Sequence, residues 1–364
     1  MSAATGGYSS HSSSSSYTLP LLLEAVRNCV RDFCVLKPGE RALIISEFDT
    51  DPLVVSSFAT ACSEFGGEVA IMTIPPISLG GWDASNPSEL VVAACEKANL
   101  IIACTYFEFA HSERTFYHTF FGKNTRVCSI AMAASVGCLI AGGRFPLPLY
   151  FEISNRVRDM LNDFKTITFT TSSGTHIAFK AKRALVHSRP LEAGNWDVFP
   201  PIGINFLAKN TNGTCIFDES TITGKPSSPI KLTIEKNFVT KIEGGSEAER
   251  NTLESFANGR YFVRHAVIGL HPKVRTINAP QFERARAAGS AYIGFDGTGP
   301  AGQIDRRGAG LSHLDCIFDT PTVTCDDKVI IRDRRLLVLE DKELVEIAKK
   351  HGDPIKILSQ TPYL

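Results

Sequence analysis

Arg41-Ala-Leu-Ile-Ile-Ser46 decides the reading of the first half of the chain. It is a short strand-like run, and residues 51 to 65 follow it with helical periodicity before closing at Gly66-Gly67. The strand-like Glu68 to Ile74 comes next. Upstream, Leu19 to Leu36 is amphipathic and stops at Pro38-Gly39; downstream come a helix over Pro87 to Ala98, a strand over Leu100 to Cys104, a helix over Ser112 to Phe121 and a strand over Arg126 to Ala131. Strands that alternate with helices at this spacing predict right-handed βαβ units on a parallel sheet. Residues 17 to 160 are therefore expected to form a doubly wound α/β domain. Residues 1 to 16 are mostly Ser, Gly and Ala, lack the basic and apolar regions of a secretory signal, and read as a flexible tail.

The texture changes after a helix over Phe151 to Asp163. Lys165-Thr-Ile-Thr-Phe-Thr-Thr-Ser and Thr175-His-Ile-Ala-Phe-Lys alternate polar and apolar residues around a Ser173-Gly174 turn, which predicts a hairpin. Further strand-like segments lie at 231–235, 239–243, 292–295, 312–318, 322–325 and 328–331, with helical signal at 246–257 and 341–350. Residues 161 to 364 read as a mixed, β-rich α+β domain.

Composition narrows the partners. The chain has 364 residues, 43% hydrophobic and 21% charged, with 38 basic residues against 38 acidic ones and no net charge. No global positive field draws it to nucleic acid. Its apolar runs are shorter than the about 20 residues that span a bilayer, so no membrane role is expected. The ten cysteines form no C-x-x-C pair and sit mainly in apolar runs such as Leu100-Ile-Ile-Ala-Cys104, so they read as small buried hydrophobes in a cytoplasmic protein.

Gly297-Thr-Gly299-Pro-Ala-Gly302 matches G-x-G-x-x-G. A dinucleotide site needs a helix opening inside those glycines, and Pro300, Gly302, Gly308 and Gly310 do not sustain one. His313-Leu314-Asp315 is the sharper signal, because residues i and i+2 of a strand share a face and would project an imidazole and a carboxylate together. A hydrogen-bonded structural pair is the plain alternative. A metal site needs a third ligand, and His176, His187, His265, His271 and His351 are the candidates in this half. Two imidazoles and one carboxylate would suit non-haem Fe(II); an added bridging carboxylate would suit paired hydrolytic metals.

The stretch Leu232-Thr-Ile-Glu-Lys-Asn-Phe-Val-Thr-Lys-Ile-Glu-Gly-Gly245, then His265-Ala-Val-Ile-Gly-Leu-His-Pro272, the 297 to 302 glycine loop and His313-Leu-Asp315, in this order, resembles the thermophilic metallo-aminopeptidase superfamily. Within that superfamily the likeness is to the 2,5-dihydroxypyridine 5,6-dioxygenases. The N-terminal half is similar mainly in architecture and at Ala110-His-Ser-Glu113. The resemblance implies iron ligands at His265, His313 and Asp315, and an acid/base role on a ring hydroxyl for His111, whose plain alternative is a surface residue at a helix start. Tyr292 stands where the peptidases carry a second-site histidine, and His265 where they carry a glutamate, which implies one metal rather than two. Val186 and Val198 stand near positions where the pyridine dioxygenases present acidic and imidazole groups, so the ring substrate could differ. Arg306 and Arg307 read as an exposed basic turn, with a clamp for a substrate carboxylate as the functional alternative.

The expectation is a cytoplasmic, homo-oligomeric Fe(II)-dependent ring-cleaving dioxygenase that takes O2 and a small dihydroxylated N-heteroaromatic such as 2,5-dihydroxypyridine. A Zn- or Co-dependent aminopeptidase and a non-catalytic binding member of the superfamily are the alternatives. Cys316, next to Asp315 but on the opposite strand face, is expected to be a packing residue.

Overall fold

The computed structural model of the protein describes residues 18–76, 87–105, 124–130, 135–161, 164–186, 189–276, 279–297 and 313–363. Its first sheet is fully parallel. Strands β1 (Arg41–Glu47), β2 (Glu68–Ile74), β3 (Leu100–Cys104) and β4 (Arg126–Ser129) run in the order β2-β1-β3-β4. β3 and β4 are buried along their whole length, as strands covered on both faces must be, whereas β2 is partly buried to exposed throughout at the sheet edge.

Helices cover both faces. Helix α1 (Thr18–Asn28) and α2 (Pro52–Glu64) pack Leu22, Val26, Val54 and Phe58 onto Ile44, Ile102 and Cys128, while α3 (Glu89–Lys97) packs Val91 and Cys95 onto Leu43, Ile45 and Ile101. The helix starts follow from local chemistry. Asp51 accepts from the Leu53 N–H, and Ser88 from the Val91 N–H, each satisfying a donor that a first turn leaves free. The amphipathic segment that begins at α1 is longer than the α-helix itself, because it continues as a π-turn over Cys29–Phe33. The expected helix over Ser112 to Phe121 lies outside the described residues.

A fifth strand completes the parallel sheet from beyond residue 160: β7 (Trp196–Val198) pairs with β4 in parallel. The chain reaches it after α4 (Val136–Gly143), α5 (Leu147–Met160), β5 (Ile167–Thr170) and β6 (His176–Val186). β5 and β6 form the hairpin that the Ser173-Gly174 turn predicts.

The second sheet is antiparallel and large. It adds β8 (Gly203–Ile216), β9 (Glu219–Ser220), β10 (Ile230–Glu235), β11 (Phe238–Gly244), β12 (Tyr261–Gly269), β13 (Ala291–Gly297), β14 (His313–Phe318), β15 (Thr322–Cys325), β16 (Lys328–Arg332) and β17 (Arg335–Leu336). The order is β17-β16-β15-β5-β6-β8-β10-β11-β12-β13-β14-β9, with a further β8–β12 pairing. Long β8 was not evident from alternation because it reaches two partners beyond β6: its first half pairs with β12 and its second with β10. Phe169, Phe179, Phe206, Ile268, Phe295 and Phe318 lie in the main core beneath this sheet, where α5 contributes Leu149, Tyr150, Ile153 and Val157. Two short helices, Gln281–Arg284 and Pro354–Leu358, supplement the helical segments read from the sequence.

All ten cysteines are buried and unpaired by disulfides. Cys316 packs in the main core with Leu314 and Phe318, as its place on the strand requires. No described helix is long and apolar enough to cross a membrane.

Candidate metal centre

Three adjacent strands build the centre. In register, His265 of β12 faces Gly294 of β13, and Gly294 faces Asp315 of β14; one step along, Asp296 faces His313. One step the other way, Val267, Tyr292 and Ile317 form a parallel row. All of these side chains share a sheet face because strand side chains alternate with period two.

His265 reaches that face through a bulge. Val263 pairs with Phe295 and His265 with Gly294, so Arg264 is an extra residue on β12. Val263 points into the main core; with Arg264 regularly paired instead of bulged, alternation would send His265 there as well. The bulge re-aims the imidazole, a common use of bulges beside sites. Gly294 then leaves room for it. A Cβ at Gly294 would lie 2.2 Å from His265 Cε1 and 2.5 Å from Nε2, so the ring occupies the space that any other residue would fill.

The donor atoms converge. His265 Nε2 lies 3.7 Å and His313 Nε2 lies 3.1 Å from Asp315 Oδ1, and the three potential ligand atoms lie within 4.8 Å of one another. The two imidazoles stack at 5.1 Å between centroids with an interplanar angle of 11°. Ligands about 2.1 Å from one ion and at right angles to each other sit about 3.0 Å apart, so this set fits the face of a single coordination shell. Two neutral imidazoles and a carboxylate are also the donor types that bind a first-row divalent ion.

A carboxylate outside the set fixes one ligand. His313 donates from Nδ1 to Asp296 Oδ1 at 2.7 Å, which turns its Nε2 toward Asp315. Arg264 Nε lies 3.7 Å from the other Asp296 oxygen. Asp315 is held through its backbone: its N–H donates to Thr221 Oγ1, while its carbonyl accepts from the Thr221 N–H and from Gln281 Nε2.

Charge is divided unevenly between the rings. Burial, reinforced by neighbouring His313, pulls the His265 pKa down to about 4, so this ring presents a lone pair at neutral pH. Burial opposes charge on His313 too, but the Asp315 and Asp296 carboxylates outweigh it and push the pKa up to about 10 in the metal-free protein. Burial alone would raise the Asp296 pKa; its hydrogen bond from His313, together with the charges of His313, His265 and Arg264, outweighs this and leaves it below the ordinary value. Burial and Asp315 push the Tyr292 phenol well above its ordinary pKa, so it stays neutral.

The row beside the ligands forms an apolar wall. Val267, Tyr292 and Ile317 cluster with Val198, Ile202 and Ala285, with Trp196 and Phe282 packed against them. Trp196 and Val198 belong to β7 of the parallel sheet, so this wall joins the two sheets. Asn205 of β8 pairs with Val267 on the same face, and its buried Oδ1 has no hydrogen-bond partner among the described residues.

The remaining histidines of the β-rich half stand apart. His271 is buried against Phe145 and Tyr150; His176 lies on β6, paired with Thr170 and Thr214; and His351 is exposed. His187, His111, Arg306 and Arg307 lie outside the described residues, as do Thr298 to Gly302 of the glycine loop and the side chain of Val186. Asp296, Asn205 and Gly294 were missed from the sequence. Period-two spacing from Tyr292 through Gly294 to Asp296 would have put the last two on the histidine face had β13 been aligned with β14.

Comparison with known proteins agrees with this architecture. The chain matches the solved structure of the 2,5-dihydroxypyridine dioxygenase from Pseudomonas putida KT2440 with a TM-score of 0.66 and 18% identity, over 87% of this chain and 97% of that one. It matches wild-type AmpT from Thermus thermophilus with a TM-score of 0.58 and 12% identity, over 88% and 99% of the two chains. At these identities the likeness is one of fold. No curated protein matches the chain by sequence. The sequence model of the family described as NicX, 2,5-dihydroxypyridine 5,6-dioxygenase, matches residues 22–338, and the chain belongs to this family of ring-cleaving dioxygenases.

Proposed function

We propose that His265, His313 and Asp315 hold Fe(II), and that the protein uses it to open a dihydroxylated N-heteroaromatic ring such as 2,5-dihydroxypyridine with O2. The single observation that supports this most is the convergence of two imidazole nitrogens and one carboxylate oxygen within 4.8 Å on one sheet face. When bound, the ion supplies neighbouring positions for a ring oxygen and O2 and a route for electrons from the electron-rich ring, without an external reductant.

The chain's own groups supply the rest. His265 offers a lone pair without first shedding a proton, and Asp296 holds His313 at Nδ1 so that Nε2 faces the ion. The wall of Val267, Tyr292 and Ile317, itself buried against Val198 and Ile202, keeps water from one side. Asn205 Oδ1, without a hydrogen-bond partner among the described residues, is an acceptor on that side suited to a ring hydroxyl or ring N–H. His111 is the proposed base for the ring hydroxyl, since an imidazole takes and returns protons near neutrality. We further propose a cytoplasmic homo-oligomer, as the family likeness suggests.

Anaerobic loading with Fe(II), followed by O2 uptake and loss of ring absorbance with 2,5-dihydroxypyridine, tests the proposal. His313→Ala should abolish both metal retention and O2 uptake. Equal iron binding and turnover by that variant would refute the ligand set, and hydrolysis of amino-acyl amides with Zn(II) or Co(II) would favour a peptidase instead.

A further inference from the structure

A second group of metal-ligating side chains lies in the α/β half, away from the histidine face. Cys29, Cys34 and Cys128 are fully buried, and their sulfurs all lie within 4.8 Å of one another. Cys29 Sγ is 3.8 Å from Cys34 Sγ and 3.7 Å from Cys128 Sγ. At a metal–sulfur distance of about 2.3 Å, tetrahedral angles place two thiolates about 3.8 Å apart and trigonal angles about 4.0 Å. We propose that Cys29, Cys34 and Cys128 form a second metal site, built for a thiophilic closed-shell ion such as Zn(II) or Cu(I).

Backbone geometry brings the three together. Residues five apart on an α-helix point about 140° away from each other around the axis. The chain instead forms a π-turn over Cys29–Phe33, with the Cys34 N–H donating to the Cys29 carbonyl at 2.8 Å, and this turns both thiols to one side. Cys128 meets them from the middle of β4, on the sheet face that α1 covers. Such single π-turns cost helix regularity and recur at functional sites.

The surroundings suit thiolates. Arg126 is buried, donates to the carbonyls of Cys34 and Val35 at 2.7 and 2.6 Å, and pairs with Glu40. All-sulfur ligation suits Zn(II) and Cu(I) alike. With no exposed sulfur, the ion would enter as the chain folds.

The test uses the full chain carrying His313→Ala and Asp315→Ala, which removes the other site. The protein is refolded anaerobically with Zn(II) in one arm and Cu(I) in the other, then passed through a weak chelator. We expect about one equivalent of ion retained in at least one arm, an X-ray absorption spectrum showing three sulfur neighbours at about 2.3 Å, and loss of the ion in Cys34→Ser but not in Cys95→Ser. No retained ion in either arm, or a shell with fewer than three sulfurs, overturns the site. The absorption measurement does not depend on any cysteine variant folding.

Discussion

Gly294→Ala tests the architecture of the metal centre with one methyl group. The new Cβ would lie 2.2, 2.5 and 2.8 Å from Cε1, Nε2 and Nδ1 of His265. To reach an ordinary van der Waals separation the ring must withdraw by about 1.2 Å. Ligand positions tolerate errors of about 0.2 Å, so His265 would leave the coordination shell. Loss of a merely supporting group costs 10–100-fold in metal affinity, and loss of a ligand should cost at least about 100-fold. Overpacking should also destabilise the metal-free protein by about 1–3 kcal/mol. Competition against a chelator measures the first quantity and thermal unfolding of metal-free protein the second. In His265→Ala/Gly294→Ala the ring is gone and the methyl fits, so the overpacking penalty should vanish although metal binding stays weak. The reasoning is refuted if Gly294→Ala binds Fe(II) within about threefold of the parent, or if the stability penalty survives in the double variant.

Four further outcomes are expected. Asp296→Asn should weaken metal binding by about 10–100-fold, read by chelator competition, because the neutral amide loses the charge that orients His313. Asn205→Leu should raise the melting temperature, by removing an unpaired buried acceptor worth about 1 kcal/mol, and raise KM for the ring substrate; an unchanged KM would remove Asn205 from the substrate pocket. His271 is held neutral by burial, with its pKa down to about 3, and its Nδ1 accepts from the Lys273 N–H. The unfolded chain takes up this proton near the ordinary pKa of 6.5 and the folded chain only near 3, so stability is complete above 6.5 and falls as pH drops through that window, by up to about 1.4 kcal/mol per unit. Urea titrations of His271→Phe should show a flatter slope there. Lys273→Met should release the C-terminal segment, since Lys273 Nζ donates to the carbonyls of Lys356, Ser359 and Thr361 and to Ser359 Oγ; a loss of about 2–4 kcal/mol and faster amide exchange over 354–363 would show it.

Much of this protein is legible in its sequence, because the deciding forces there are local. Runs such as Arg41 to Ser46 and Leu100 to Cys104 lie between helical segments, and that alternation admits little but a parallel sheet with helices on both faces. His313 and Asp315 share a face by the period of a strand alone. Other parts depend on which strands meet. β7 joins the parallel sheet after the chain has already begun the antiparallel one, a long-range pairing that three residues cannot announce. His265 turns to the metal face only because Arg264 bulges against β13, and it has room only because register places Gly294 beneath it. Asp296 reaches His313 across 17 positions of sequence, and Cys128 reaches Cys29 across 99. Local periodicity thus determined most of the elements and one pair of candidate ligands, whereas register, a bulge and a π-turn decided which distant side chains share a site, because those depend on packing the whole chain and not on any one segment of it.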